Sequence, residues 1–204
     1  MCYSSYASLW ALSVGMLGSA LLIPIDASLA VMFAFVTLMQ LYDAIFWTYP
    51  GHNPVNTVVT KLAMVSNHLQ PLVLAASIYF LKGVHIHPAS SVILAAYVGA
   101  VLVYTVTHFD DVKYTTVTPA SDPSLDWEWN YKKGFAVVYS LFLAAVTALF
   151  FQHYDAPLGL ILASLSVFTI SVAMWKRSQH ATGRFWCHYA AYIPAALVVY
   201  LSNA

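Results

Sequence analysis

Charged residues are scarce in this chain of 204 residues: Asp, Glu, Lys and Arg together make up 8% of it, whereas apolar and aromatic types make up 61%. A water-soluble domain of this length needs a much larger charged surface, so the composition excludes an ordinary soluble fold. The formal net charge is zero, and a basic surface for nucleic acid is therefore not predicted. Most of the chain is expected to lie in lipid.

Cysteine is also rare, and lysine is missing from the last apolar stretch of the chain. Cys2 and Cys187 fit neither a metal-binding spacing nor a disulfide framework, so both are predicted to be free thiols. A microbial rhodopsin needs a lysine in its last helix for the retinal Schiff base, and residues 183–201 contain none. That reading is excluded, and these residues predict no cofactor.

Seven long apolar runs fill the chain and are separated by short stretches rich in Pro, Gly, Asp and His. Backbone groups in lipid must bond within their own segment, so runs of this length predict helices. The predicted spans are 7–24, 28–48, 57–81, 89–108, 132–152, 157–175 and 183–201. The sequence therefore predicts one all-α domain over residues 1–204, a multi-pass integral membrane bundle whose main partner is the lipid bilayer.

The cations predict the orientation of this bundle. With seven spans, the N-terminus shares a side with the loops that follow spans two, four and six. Lys82 alone falls on the opposite side, and the other Lys and Arg residues fall on the N-terminal side: Lys61, Lys113, Lys132, Lys133, Lys176, Arg177 and Arg184. Because cytoplasmic loops carry the excess of Lys and Arg, the N-terminus is predicted to be cytoplasmic and the C-terminus outside.

Spans two and six begin and end alike, and spans three and seven each place a histidine before a proline. In spans two and six, Asp26 corresponds to Asp155 and Trp47 to Trp175. In spans three and seven, His68 corresponds to His188 and Pro71 to Pro194. The pattern favours two three-helix units joined by span four, as in SWEET and PQ-loop transporters. Chance similarity between apolar helices is the alternative.

An acidic residue, Asp43, lies inside span two. A carboxylate there costs about 2.5 kcal/mol or more unless it faces the bundle interior or water. Gln40, Asp43 and Trp47 share one helical face. We expect the partner of Asp43 to come from span three or seven, with His68 or His188 first. A polar clamp that only holds helices together is the alternative interpretation.

Span three carries a polar stretch near its middle, Ser66-Asn67-His68-Leu69-Gln70-Pro71. Pro71 cannot donate to the carbonyl of Asn67, so a kink is expected there, and Pro194 predicts a second kink in span seven. Given the predicted orientation, four side chains are expected to converge in the cytoplasmic half of the bundle: Asp43, His68, His108 and His188. A lone histidine is more often a packing residue than a ligand, but several beside a carboxylate favour function.

The long connection at 109–131 is predicted to be a cytoplasmic loop in which acids alternate with large aromatic residues. Trp127 and Trp129 alternate with Asp126 and Glu128, so one side of an extended loop can pack on the bundle. This predicts a lid over the cytoplasmic mouth near spans two and seven. Aromatic anchoring at the headgroup level is the alternative.

Several short motifs occur together across spans two to seven: Met39-Gln40 with Asp43 and Trp47, Leu69-Gln70-Pro71, Leu125-Asp126-Trp127-Glu128-Trp129, and Gly183-Arg184-Phe185-Trp186-Cys187. In this combination the chain resembles a group of small multi-helix membrane proteins encoded by large DNA viruses of algae and protists and by related microbes. The resemblance implies a membrane bundle of this kind and implies no particular chemistry.

The leading hypothesis for function is a translocation pathway for a small solute or ion, with proton coupling through Asp43 and a histidine. The residues predicted to line it are Gln40, Asp43, Asn67, His68, Gln70, His108, Trp186 and His188. The sequence leaves a homo-oligomer open. A structural membrane protein without transport activity is one alternative.

The other alternative is a membrane-embedded zinc hydrolase of the ceramidase and adiponectin-receptor type. In that case Asp43, His68 and His188 are the candidate ligands, and the metal would lower the pKa of a bound water. Those enzymes pair two histidines as His-x-x-x-His in the last span. Here the residue four positions after His188 is Tyr192 and the residue four positions before it is Arg184, so the pair is missing.

Overall fold

The protein is an all-α bundle with a small β-hairpin at one end. A computed structural model describes residues 4–118, 124–176 and 182–203. Cys2, Arg177 and residues 119–123 of the predicted loop lie outside the described residues. The helices are α1 (Ser5–Leu22), α2 (Ala27–Thr48), α3 (Pro54–Leu81), α4 (Pro88–His108), α5 (Phe135–His153), α6 (Ala156–Lys176), α7 (Thr182–Ala190) and α8 (Ile193–Leu201).

The beginnings of the first three helices are set by capping side chains. The carboxylate of Asp26 accepts hydrogen bonds from the backbone N–H groups of Ser28 and Leu29, both at 3.0 Å. The amide oxygen of Asn53 accepts from Val55 N–H at 2.9 Å, and Pro54 follows at a position that suits the first helical turn. For this reason α3 begins three residues before the predicted span at 57–81.

Among the described residues, five helices are long and apolar enough to cross a membrane: α1, α2, α3, α4 and α5. The chain therefore has the architecture of a membrane protein. Predicted spans one to six each correspond to one helix, whereas the predicted span 183–201 is divided into α7 and α8. Pro194 lies in the first turn of α8 and has no N–H to continue the preceding helix, which accounts for the break. By contrast, α3 continues through Pro71 as one helix.

Helix α1 packs through a face of small residues: Ser8, Ala11, Gly15, Gly18 and Ser19 are all buried. A Cβ on Gly15 would lie 2.5 Å from Thr37 Oγ1 and 2.6 Å from the carbonyl oxygen of Ala191. Small residues let helix backbones approach closely where the surrounding lipid supplies no hydrophobic drive between helices. Helix α1 is thereby held against α2 and the last span.

Side-chain contacts join the connections at one end of the bundle. Lys82, just after α3, forms an ion pair with Asp26, just before α2, with an N–O distance of 2.9 Å. The Lys82 ammonium also lies 3.8 Å from the ring centroid of Tyr154, whose hydroxyl is 2.7 Å from Ser28 Oγ. Successive long helices thus connect alternately at this end and at the opposite one.

The opposite end carries the segment between α4 and α5. The connection predicted at 109–131 contains an antiparallel hairpin of β1 (Thr115–Thr118) and β2 (Ser124–Trp127), followed by a 3-10 turn (Glu128–Tyr131). Gly134 then adopts a φ of 93° before α5 begins, a conformation that favours glycine. Helix α5 therefore starts three residues after the predicted span at 132–152.

Candidate functional site

A cluster of polar side chains lies in the interior, between α2, α3, α5 and α7. Helix α2 contributes Gln40 and Asp43, and both are buried. The other buried members are Asn67, His68 and Gln70 on α3, Tyr139 on α5, and Trp186 and Cys187 on α7. Six of the eight predicted pathway residues are thus buried in this region of the bundle. The two exceptions are His108 and His188.

Asp43 accepts a hydrogen bond from a residue outside the helices. The indole Nε1 of Trp127, at the end of β2, donates to Asp43 Oδ1 over 3.2 Å, and Asp43 is only 1% exposed. The prediction that His68 supplies this contact was wrong, because neither ring nitrogen of His68 has a hydrogen-bond partner among the described residues. The donor comes from the connecting segment, since the chain folds back into the bundle there.

A chain of hydrogen bonds links three helices beside Asp43. Trp186 Nε1 donates to Gln70 Oε1 at 3.0 Å, and Gln70 Nε2 donates to the sulfur of Cys187 at 3.6 Å. The Cys187 thiol in turn donates to Asn67 Oδ1 at 3.4 Å, and Asn67 Nδ2 donates to the Tyr139 hydroxyl at 2.7 Å. Buried amides without such partners would each cost about 1–3 kcal/mol, so this chain fixes α3 against α5 and α7.

His68 is buried among tyrosine rings. Its imidazole lies edge-on to Tyr104, with ring centroids 5.5 Å apart, and is also in contact with Tyr139. Its backbone carbonyl accepts a hydrogen bond from the Tyr97 hydroxyl at 2.6 Å. Helix α4 is therefore joined to α3 about one turn before Pro71, where the proline weakens the helical ladder.

Trp127 and Trp129 close the hairpin end of this cluster. Both indoles are fully buried, and their rings stack with centroids 4.8 Å apart. The Tyr104 hydroxyl donates to the carbonyl of Trp129, so the closing segment is also bonded to α4. The alternation of tryptophans with acids predicts that one side of this segment packs on the bundle, and both indoles do so. That the segment acts as a lid stays a prediction.

The closing segment is held to the bundle by Asn56, near the start of α3. Its side-chain nitrogen donates to the carbonyls of Tyr49 and Thr115, both at 2.9 Å. Its side-chain oxygen accepts from Thr115 N–H at 2.9 Å and from Thr60 Oγ1 at 3.0 Å. One buried side chain therefore meets four hydrogen-bonding groups and fixes strand β1 on α3.

Glu128 orders the start of the same segment. Its carboxylate accepts hydrogen bonds from the backbone N–H groups of Lys113 and Tyr114 and forms an ion pair with Lys132 at 3.1 Å. Partial burial alone would raise the pKa of Glu128, but these bonds and the Lys132 charge together lower it below its ordinary value. The carboxylate is thus ionised at neutral pH and holds both ends of the hairpin segment.

Two predicted pathway residues are only partly buried. His108 ends α4, where its Nε2 donates to the carbonyl of Lys133 at 3.0 Å. His188 is half-buried on α7, in ring contact with Tyr189 and Tyr192. Within the ranges that the structure describes, no three His, Cys, Asp or Glu side chains come close enough to hold a metal ion. Asp43, His68 and His188 do not form such a group.

Sequence reasoning missed four residues that build the site: Asn56, Tyr104, Tyr139 and Cys187. Each lies in or beside an apolar run, where a single tyrosine, asparagine or cysteine is easily taken as ordinary packing. A tyrosine hydroxyl in the middle of a span requires a hydrogen-bond partner. This requirement could have indicated from the sequence that Tyr104 and Tyr139 face other polar groups.

Comparison with known proteins identifies no relative of this chain. No family model, no curated protein and no solved structure matches the chain.

Proposed function

We propose that the chain is a multi-pass membrane protein with a cytoplasmic N-terminus that moves a small solute or ion through the interior polar cluster. The observation that carries this proposal is the indole of Trp127, inserted from a connecting segment and bonded to the buried carboxylate of Asp43. In this proposal Trp127 is the closing group of the pathway. The arrangement described here then corresponds to a closed state.

The position of Trp127 supports a movable closure. It belongs to a strand at the end of the bundle, whereas the groups beneath it lie on α2, α3 and α7. Withdrawal of the hairpin would leave the helices packed and would let water reach Asp43. A carboxylate inside a membrane bundle is costly to keep and often marks an ion or proton pathway.

Asp43 is the candidate for proton coupling. Once Trp127 is withdrawn, the carboxyl group of Asp43 would exchange a buried indole donor for contact with water, and protons from solution could then reach it. Access of protons in the open state alone is the condition for coupling a proton to the movement of a second solute. His68, whose ring nitrogens have no hydrogen-bond partner within the described part of the chain, is the candidate second site.

The proposal is tested by flux measurements in liposomes across a panel of small cations, anions and neutral solutes at several pH values. Trp127→Ala should raise flux at least tenfold, because it removes the closing group. Asp43→Asn should abolish the pH dependence of flux, because it fixes the charge at zero. Trp10→Ala is the matched control, since the side chain of Trp10 lies at the surface of α1 and is 59% exposed.

Absence of flux in the wild-type protein and in Trp127→Ala, with both proteins folded, would contradict transport. In that case a structural role is the better description. One observation favours that second candidate: each side chain in the series from Trp186 through Gln70, Cys187 and Asn67 to Tyr139 is bonded to another protein side chain.

A further inference from the structure

A groove between α4 and α5 opens on the outer surface of the bundle, separate from the interior cluster. Its volume is about 490 Å³, and it extends along α4 from Gly99 to His108 and ends at Lys133. Nothing lies within 4 Å of the point where a Cβ on Gly99 would be. The glycine therefore leaves an opening in the surface of α4.

The walls of this groove are apolar along most of its length, and the basic side chains in its lining stand at one end. Val103 on α4 and Val137 on α5 form the walls and are 69% and 60% exposed. His108 and Lys133 stand at the end nearest the hairpin. A ligand that fits must be apolar over most of its length and polar at a single end.

The length of the groove matches one leaflet of a bilayer. From Gly99 to His108 the helix advances nine residues, or about 14 Å at 1.5 Å per residue. The hydrocarbon core of a bilayer is about 30 Å thick, so one leaflet occupies about 15 Å. An acyl chain that starts at Lys133 would reach the middle of the bilayer near Gly99.

The polar end of the groove carries positive charge that is free to meet a ligand. Two of the carboxylates at this end are paired with other cations: Asp110 with Lys61 at 3.8 Å and Glu128 with Lys132 at 3.1 Å. The side chain of Lys133 is in no ion pair within the described ranges. In the proposed orientation this end faces the cytoplasmic leaflet, where anionic lipids are concentrated.

We infer that the groove binds an anionic phospholipid, with one acyl chain between α4 and α5 and the headgroup phosphate at Lys133. The floor of the groove includes Tyr104, whose hydroxyl donates to the Trp129 carbonyl. A bound lipid would therefore brace the helix to which the closing segment is bonded. The inference uses the proposed orientation but does not require transport, so binding and flux can fail independently.

The test measures thermal unfolding of the delipidated protein in detergent, with added dioleoylphosphatidylglycerol, dioleoylphosphatidylcholine or inorganic phosphate. We expect the anionic lipid to raise the Tm more than the zwitterionic one, and phosphate alone to leave it unchanged. Lys133→Gln should weaken the apparent affinity for the anionic lipid about fivefold, the factor that corresponds to about 1 kcal/mol per lysine near an anionic surface. Lys113→Gln, which removes an exposed charge from the same end, should have no such effect.

A second pair of variants tests the acyl-chain portion of the site. Gly99→Phe should fill the groove and reduce binding of both lipids, whereas Leu102→Phe places the same aromatic ring at an exposed position of α4 outside the groove and should not. Equal stabilisation by the two lipids, equal losses for Lys133→Gln and Lys113→Gln, or full binding to Gly99→Phe would each overturn the inference. Stabilisation by phosphate alone would assign the site to a free anion instead.

Discussion

Trp127 and Asp43 are 84 residues apart in the chain, yet the indole N–H of the first donates directly to the carboxylate of the second over 3.2 Å. Burial keeps water from replacing this bond. The contact therefore links the position of the hairpin segment to the carboxyl group in the interior.

The first prediction concerns the strength of this contact. Trp127→Phe keeps an aromatic ring but removes the donor, and we expect the free energy of unfolding in mixed micelles to fall by about 1–3 kcal/mol. Asp43→Asn keeps an acceptor and should lower it less. A double-mutant cycle should give a coupling energy of at least about 0.5 kcal/mol. Additive effects would show that the bond contributes nothing measurable.

The second prediction concerns the anchoring of the hairpin by Asn56. Asn56→Leu leaves the N–H and carbonyl of Thr115 without their side-chain partner, which costs about 1–3 kcal/mol for each buried group. The hairpin should then leave the bundle more often, and trypsin cleavage after the exposed Lys113 should become about tenfold faster or more. Thr57→Val serves as control, because that hydroxyl donates to the carbonyl of Asn53 within the first turn of the same helix. Equal cleavage of both variants would contradict the anchoring role.

The third prediction concerns acid stability at the opposite end of the bundle. Burial would raise the pKa of Asp26, but hydrogen bonds from Ser28, Leu29 and Lys82 and the Lys82 charge lower it below its ordinary 3.8. Because the pKa of Asp26 is lower in the folded state than in the unfolded state, Asp26 stabilises the fold fully above its ordinary pKa. This stabilisation is lost as the pH falls through the folded-state pKa.

Asp26→Asn should therefore lower the Tm at pH 7 and reduce the acid dependence of stability below about pH 4. Asp110→Asn is the control, since the Asp110 side chain is fully exposed. The acid dependence that remains in Asp26→Asn should include the contribution of Glu128, whose pKa is also lowered. If the Tm falls with acid as steeply in Asp26→Asn as in the wild type, Asp26 does not contribute to the acid dependence of stability.

The fourth prediction compares glycines of similar sequence context and different surroundings. A Cβ on Gly18 would lie 2.5 Å from the backbone nitrogen of Ala195, whereas nothing lies within 4 Å of one on Gly99. We expect Gly18→Ala to destabilise the fold by about 1–3 kcal/mol through overpacking. Gly99→Ala should be neutral or stabilise it by up to about 1 kcal/mol. Equal effects in thermal unfolding would contradict the close approach of α1.

The sequence predicted the all-α class and six of the helices closely, because long apolar runs bounded by capping and breaking residues have few other solutions in lipid. The predicted span 89–108 differs from α4 by one residue at its start. Sequence analysis also placed Trp127 and Trp129 on the side of their segment that packs on the bundle. The orientation, the two three-helix units and the resemblance to viral multi-helix proteins stay predictions.

The hydrogen bond from Trp127 to Asp43 was beyond sequence reasoning for a physical reason. Depth along a span can be read from the sequence and favours a histidine at a similar depth, such as His68, but the rotation of each helix about its axis cannot be read. The turn of strand β2 that brings Trp127 inward depends on Asn56 and Glu128, which act across 59 and 15 residues respectively. Contacts of this kind leave no periodic pattern in the chain.

The glycines of α1 also restrict how this protein can diverge. The atoms nearest to them include main-chain atoms, the carbonyl oxygen of Ala191 beside Gly15 and the nitrogen of Ala195 beside Gly18. Every residue type carries those atoms, so no replacement on the last span can compensate for a side chain at position 15 or 18. We therefore expect descendants of this sequence to keep both glycines while the neighbouring apolar residues drift, and to lose them only where α1 itself has moved or disappeared.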